Sequence, residues 1–124
     1  MEPGERLVSQ KAKKLNVVEA ITIVDNGGRL VYFLKMDDLR QIGADLSQGK
    51  ARTSAFTKLP SKAYEDRVAS GGVGVAALSY GITAAAGGLP LIVNGKMIGA
   101  IGVGGGPNGV IDTQVAQAGL DALK

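Results

Sequence analysis

Two short turn signals, Asp25-Asn26-Gly27-Gly28 and Asn94-Gly95, constrain the fold of this 124-residue chain more than any other feature. Each sits between runs of aliphatic and β-branched residues: Val18–Val24 and Arg29–Met36 around the first, Leu89–Val93 and Lys96–Val103 around the second. Asn and Gly accept the positive φ that a tight hairpin turn demands, so each signal predicts two antiparallel strands. A chain with two such hairpins must build a sheet, and the remaining segments must cover it.

Those segments read as helices. Arg6 to Leu15 places Leu7, Ala12 and Leu15 on one side, with Lys11, Lys13 and Lys14 near its end, where cations suit the helix dipole. Asp45 to Lys58 forms a second helix, with Asp45 as cap, Gln48 in the capping-box position and Pro60 beyond its end. Ala51, Ala55 and Leu59 give it a narrow apolar stripe that Phe56 widens. Ser61 caps a third helix to Ala69, and Ile111 to Leu123 forms the last, with Ile111, Val115, Ala118 and Ala122 on one face and Asp112 in the first turn. Between them, Ile82 to Ala85 reads as one further strand. The fold class is α+β: one domain, residues 1–124, with a mainly antiparallel sheet and helices packed on it.

Composition narrows the chemistry. The chain has no cysteine and no histidine, which removes disulfides, iron–sulfur clusters, thiolate zinc sites, Ser-His-Asp triads and histidine-ligated haem. Net charge is +3, yet the basic residues alternate with acids and form no run interleaved with aromatics, so no nucleic-acid partner is expected. Residues 70–95 carry no charge, but two Gly-Gly pairs and a proline divide them, so no membrane span is expected either. The N-terminal MEPGERLVSQKAKKL has no signal-peptide core, which points to the cytoplasm.

Fourteen of the nineteen glycines follow Ser70. Gly104-Gly105-Gly106-Pro107-Asn108-Gly109 satisfies G-x-G-x-x-G after a strand and before a helix, but too little chain remains for a βαβ unit. Two compatible readings are left. Gly99, Gly102 and Gly104 mark a strand approached closely by another element, with a bulge near Gly99–Gly102. Gly104, Gly105 and Gly106, with Asn108, offer backbone N–H groups at a helix start, where a carboxylate or similar anion is favoured. On the second helix Lys50, Thr53 and Ser54 share a face while Arg52 points elsewhere. Lys50 or Arg52 facing a ligand's carboxylates, with Thr53 offering a hydroxyl, is the functional reading of that segment. In an enzymatic version, acid–base work falls to Asp112 near the glycine turn with Lys50 opposite.

Five stretches occur in a familiar order: Val24-Asp25-Asn26-Gly27-Gly28-Arg29-Leu30 with Met36-Asp37, Lys50-Ala51-Arg52-Thr53, Gly87-Gly88-Leu89-Pro90, Gly99-Ala100-Ile101-Gly102-Val103-Gly104-Gly105, and Gln117-Ala118-Gly119-Leu120. Together they resemble the GlcG/HbpS-like family of haem-binding or haem-degrading domains, also found at the C-terminus of PduO-type proteins. The resemblance implies a profilin-like α+β sandwich with a five-stranded antiparallel sheet, and homo-oligomers from dimer to octamer. It also implies haem or a related tetrapyrrole as ligand, here without a histidine, or else a small carboxylate from glycolate, diol or glycerol utilisation. Lys50, Arg52, Thr53, Gly104, Gly105, Gly106 and Asn108 are the candidate ligand-binding residues, and no metal site is expected.

Overall fold

The computed structural model describes residues 10–121. Residues 10–14 are helical (α1), and the remainder of the helix expected from Arg6 lies outside the described residues. The order continues β1 (Ala20–Asp25), β2 (Leu30–Lys35), α2 (Gln41–Thr57), α3 (Lys62–Ala69), a 3₁₀ segment (Gly72–Tyr80), β3 (Gly88–Val93), β4 (Lys96–Gly104) and α4 (Gly109–Asp121).

Both hairpins form where the turn residues place them. In the first, the Asp25 carboxylate accepts the N–H groups of Gly27 and Arg29, and Gly28 turns the chain at φ +83°. In the second, Asn94 (φ 52°) and Gly95 (φ 76°) both take the left-handed region, the signature of a type I′ turn. The hairpins join through β1 and β4 into one antiparallel sheet in the order β2-β1-β4-β3.

Among the described residues the sheet has four strands, not five. Ile82–Ala85, read as a strand, has no ladder partner. The segment before it winds into 3₁₀ turns, and Thr83 donates its N–H to the Thr53 hydroxyl at 2.9 Å instead. A bulge is present at Ile98, between the pairs Leu91–Gly99 and Ile92–Met97, one residue before the range Gly99–Gly102 in which it was expected.

The two sheet faces differ in side-chain size, and this positions everything else. Ile21, Leu89, Leu91, Ile101 and Val103 form the thick face, packed with Ala12 of α1 and Val115 and Ala116 of α4. The opposite face carries Ala20, Thr22, Val24 and Ala100 with Gly102 and Gly104, and α2 lies on it through Ala44, Ser47, Ala51 and Ala55. A Cβ on Gly102 would overlap the Ser47 carbonyl, and one on Gly104 would lie 2.8 Å from the Ser47 nitrogen. Close packing is therefore why these glycines occur.

Helix boundaries differ from expectation in instructive ways. α2 starts four residues before Asp45, after an extended Arg40 with no side-chain cap, because Gly43, Ala44 and Ser47 all find the small-residue sheet face. Phe56 is 56% exposed rather than part of the buried stripe. Its ring lies against Gly28 and beneath the Arg52 guanidinium, 5.3 Å from the ring centre. Ser61 precedes α3 without capping it; its hydroxyl donates to the Ala85 carbonyl and accepts the Gly88 N–H, tying the helix start to the sheet edge. The buried face of α4 is Asp112, Val115, Ala116 and Gly119, rotated from the expected one so that an acidic residue points inward.

Candidate functional site

The rotation of α4 creates the most unusual feature of the molecule. Lys50 is 2% exposed and Asp112 4%, and their side chains meet at 2.8 Å. Lys50 Nζ also donates to the Val103 carbonyl at 2.9 Å. The second Asp112 oxygen accepts the Gly106 N–H at 3.0 Å. The pair thus clamps the middle of α2, the end of β4 and the start of α4 around the Gly105–Gly106 turn. Buried charges are tolerated only with such partners.

Beneath that turn lies a third ionisable group. Glu19, at the entry to β1, is wholly buried, and among the described residues neither of its carboxyl oxygens has a hydrogen-bond partner. A side chain on Gly106 would overlap Asp112 Oδ1 and come to 2.5 Å from Glu19 Oε1, so glycine alone leaves room for both carboxyls. Burial pushes the Glu19 carboxyl up to about 9, with the adjoining Asp112 adding to the rise and Lys50 and the Gly106 amide opposing it. Glu19 therefore carries a proton at neutral pH, while the Asp112 oxygens accept from the Lys50 ammonium and the Gly106 amide.

Stability should follow that titration. The unfolded carboxyl ionises near 4.5 and the folded one near 9, so over that window the folded chain holds a proton the unfolded chain has released. Stability contributed by Glu19 is then fully present below about pH 4.5 and declines until about pH 9. Urea midpoints at pH 6 and pH 9 should drop in the wild type and drop less in Glu19→Gln. Equal drops in both would assign the dependence to other groups.

An open cleft of about 200 Å³ adjoins this cluster. Lys50, Asp112, Gly105 and Gly106 line it, together with Asn108, Gly109 and the apolar Ile42, Leu46, Ala85 and Ala86. Gly43, Arg40 and Glu65 complete its lining among the described residues. Glu65 Oε1 accepts the Ala86 N–H at 3.2 Å, and its other oxygen lies 3.5 Å from Lys62. Arg40, at the N-cap of α2, forms no ion pair among the described residues.

Of the residues singled out from the sequence, Lys50, Gly105, Gly106 and Asn108 come together at this cleft. Asn108 serves as the cap of α4, accepting the Ile111 N–H at 2.9 Å. The Gly106 N–H, expected to be free for an anion, is occupied by Asp112. Gly104 lies under α2 rather than on the cleft. Thr53 faces inward beside Lys50, but its hydroxyl anchors Thr83. Arg52 is exposed and stacked on Phe56, outside the cleft lining. Pairing Asp112 with Lys50 follows from the sequence reading; Glu19 does not. Its only signal is a single acid in the apolar run VVEAITIV, which within a strand reads as a solvent-facing position.

This fold and its order of motifs have counterparts among known proteins. The family model described as "Haem degrading protein HbpS-like" matches residues 6–121. The chain belongs to the HbpS-like family. Protein GlcG of Escherichia coli (strain K12) is 39% identical over 94 residues, covering 76% of this chain and 69% of GlcG. Among solved structures, protein ORFY of Klebsiella pneumoniae superposes with a TM-score of 0.88 at 31% identity, covering 97% of this chain and 84% of ORFY. The haem complex of PduOC superposes with a TM-score of 0.90 at 26% identity, covering 98% and 89%. The HbpS-like fold therefore extends over essentially the whole described chain, cleft and buried cluster included.

Proposed function

We propose that this HbpS-like chain is a ligand-binding protein whose ligand is haem or a related tetrapyrrole, held without a histidine. The likeness of nearly the whole chain to the haem complex of PduOC carries this reading. The residues at the cleft fit the periphery of a haem and not its iron. Arg40 suits a propionate, and Ile42 and Leu46 suit the edge of a macrocycle. Among the described residues the cleft lining contains no His, Cys, Met or Tyr, and Lys50 is committed to Asp112 and Val103. Tyr80, 84% exposed on the 3₁₀ segment, lies outside that lining. Bound haem would supply iron redox chemistry; the chain's own residues would grip its acidic edge.

Assembly into a homo-oligomer and a cytoplasmic setting belong to the same proposal. Leu30, Val31 and Phe33 are exposed on β2, the edge strand, and give an assembly an apolar surface to cover.

Titration with hemin tests the reading. A saturable Soret band at micromolar protein is expected, without the six-coordinate low-spin features of nitrogen ligation. Arg40→Ala should weaken the binding about tenfold, the value of one charge-assisted contact, while Arg52→Ala should leave it unchanged. No saturable band would remove the tetrapyrrole, and the reverse ranking of the two variants would move the ligand away from the cleft.

A second reading, a small carboxylate, is favoured by size. A volume of about 200 Å³ lies below the roughly 300–1,000 Å³ in which larger organic ligands are enclosed. It suits a molecule of a few heavy atoms between Arg40 and the Gly105–Gly106 turn.

A further inference from the structure

The cluster under the Gly105–Gly106 turn contains one group that neither fold nor packing explains. Lys50 and Asp112 satisfy one another and hold three elements together. Glu19 is different: it is fully buried, its two oxygens accept no hydrogen bond among the described residues, its neighbours are the Asp112 carboxyl and the Gly106 amide, and Oε1 occupies space that any side chain at Gly106 would fill. An apolar residue of the same length would cost less at a purely structural position. Gly106 itself lines the cleft, and the Glu19 and Asp112 carboxyls both lie directly against it.

We propose that the cleft is a proton-coupled binding site for a small carboxylate, with Glu19 as the residue that carries the proton. This rests on the small-carboxylate reading of the cleft. The charge count gives the mechanism. With Glu19 protonated, the floor of Glu19, Lys50 and Asp112 sums to zero, and an anion can settle between the turn and Arg40. With Glu19 ionised the floor carries one net negative charge in a poorly solvated place and repels the anion.

The groups facing Glu19 are Asp112 from α4 and Lys50 from α2, with the Gly106 amide above it. Arg40 and Glu65 stand at the cleft, the latter engaged by Lys62 and the Ala86 N–H. A bound anion therefore favours the protonated acid, and protonation of the acid favours the anion, by equal factors. Glu19 acts here through charge and is a positioning residue rather than a catalytic one.

Lactate serves as the probe, with lactamide as its uncharged counterpart, each titrated by calorimetry between pH 6 and 10.5. Lactate affinity should be constant up to about pH 8 and fall toward tenfold per pH unit beyond about 9, one proton being linked to binding. Lactamide affinity should not vary, and Glu19→Gln, always neutral, should bind lactate with a flat profile. A flat wild-type profile, or the same fall in Glu19→Gln, overturns the proposal. Infrared difference spectra of the wild type without ligand separate the two ways it can fail. They should show a protonated carboxyl at neutral pH that disappears by pH 10.5 and is missing from Glu19→Gln. Absence of that signal overturns the role of Glu19 whatever the cleft binds. Its presence without lactate binding at any pH overturns the small-carboxylate reading, and the proposal with it.

Discussion

Replacing Lys50 with Met should lower the unfolding free energy by about 3–5 kcal/mol, because the substitution leaves Asp112 as an unpaired charge in a dry interior. Methionine retains most of the volume of lysine, so lost packing is a small part of the effect. A fall in melting temperature on the order of 10–20 °C is the corresponding thermal result for a chain of this size. Urea denaturation distinguishes charge from shape through the double variant Lys50→Met with Asp112→Leu. Removing both charges should restore more than half of the loss, since a buried ion pair contributes little beyond a well-packed apolar pair. A double variant as unstable as the single one would show that the loss came from packing or from the abandoned Val103 carbonyl and Gly106 amide.

Gly102→Ala is the second large effect, about 3 kcal/mol or more, at the upper end for overpacking. One added methyl group meets the backbone of α2, the Ser47 carbonyl and the Ala51 nitrogen, rather than a side chain that could rotate away. Relief requires lifting α2 from the sheet, which would also open the Thr22–Ser47 hydroxyl contact of 2.8 Å and draw Lys50 away from Asp112. Gly27→Ala is the control: the same methyl group in the first hairpin turn meets only the Asp25 carboxylate at 3.4 Å, and a surface change of this kind stays within about 0.5 kcal/mol. Similar losses for both variants in chemical denaturation would mean that glycine at position 102 is not a packing requirement.

Both effects arise from one arrangement. α2 sits on the Ala/Gly/Thr face of the sheet closely enough that its buried cation reaches the end of β4 and the first turn of α4. The close approach that demands Gly102 and Gly104 also brings Lys50 to Asp112. Stability and the candidate site consequently share residues, and variants on the α2 face of the sheet should alter both.

The hairpins were legible in the chain because a tight turn is a local event. Asn94 and Gly95 need left-handed backbone wherever the chain goes afterwards, and the flanking aliphatic runs have no other short-range way to pair. The absence of histidine and cysteine was equally decisive, since no tertiary arrangement can supply a missing side chain. The order of five short motifs identified the family for the same reason: it requires residues, not contacts. By contrast, residues 82–85 have strand-like composition but no neighbouring strand edge to join, and Thr53 captures the Thr83 amide first. α2 starts at Gln41 and not at the Asp45 cap signal because capping preference is weaker than the gain from laying another turn on the sheet.

The site divides in the same way. From sequence alone came Lys50 on one helix face with Thr53 and Ser54, the glycine turn before α4 and Asp112 just beyond it; that this face of α2 is buried came from the structure. Which way Asp112 points was decided by the packing of α4, which buries Asp112, Val115, Ala116 and Gly119 against the sheet rather than the more apolar alternative. Glu19 could be placed only by the tertiary structure. An acid in a β-rich run faces water when its sheet face is open, and here the Gly106 turn and α4 close over it. Burial raises the cost of its charge and gives it a proton at neutral pH, and burial is a property of the assembled layers rather than of the residues around Glu19 in the chain.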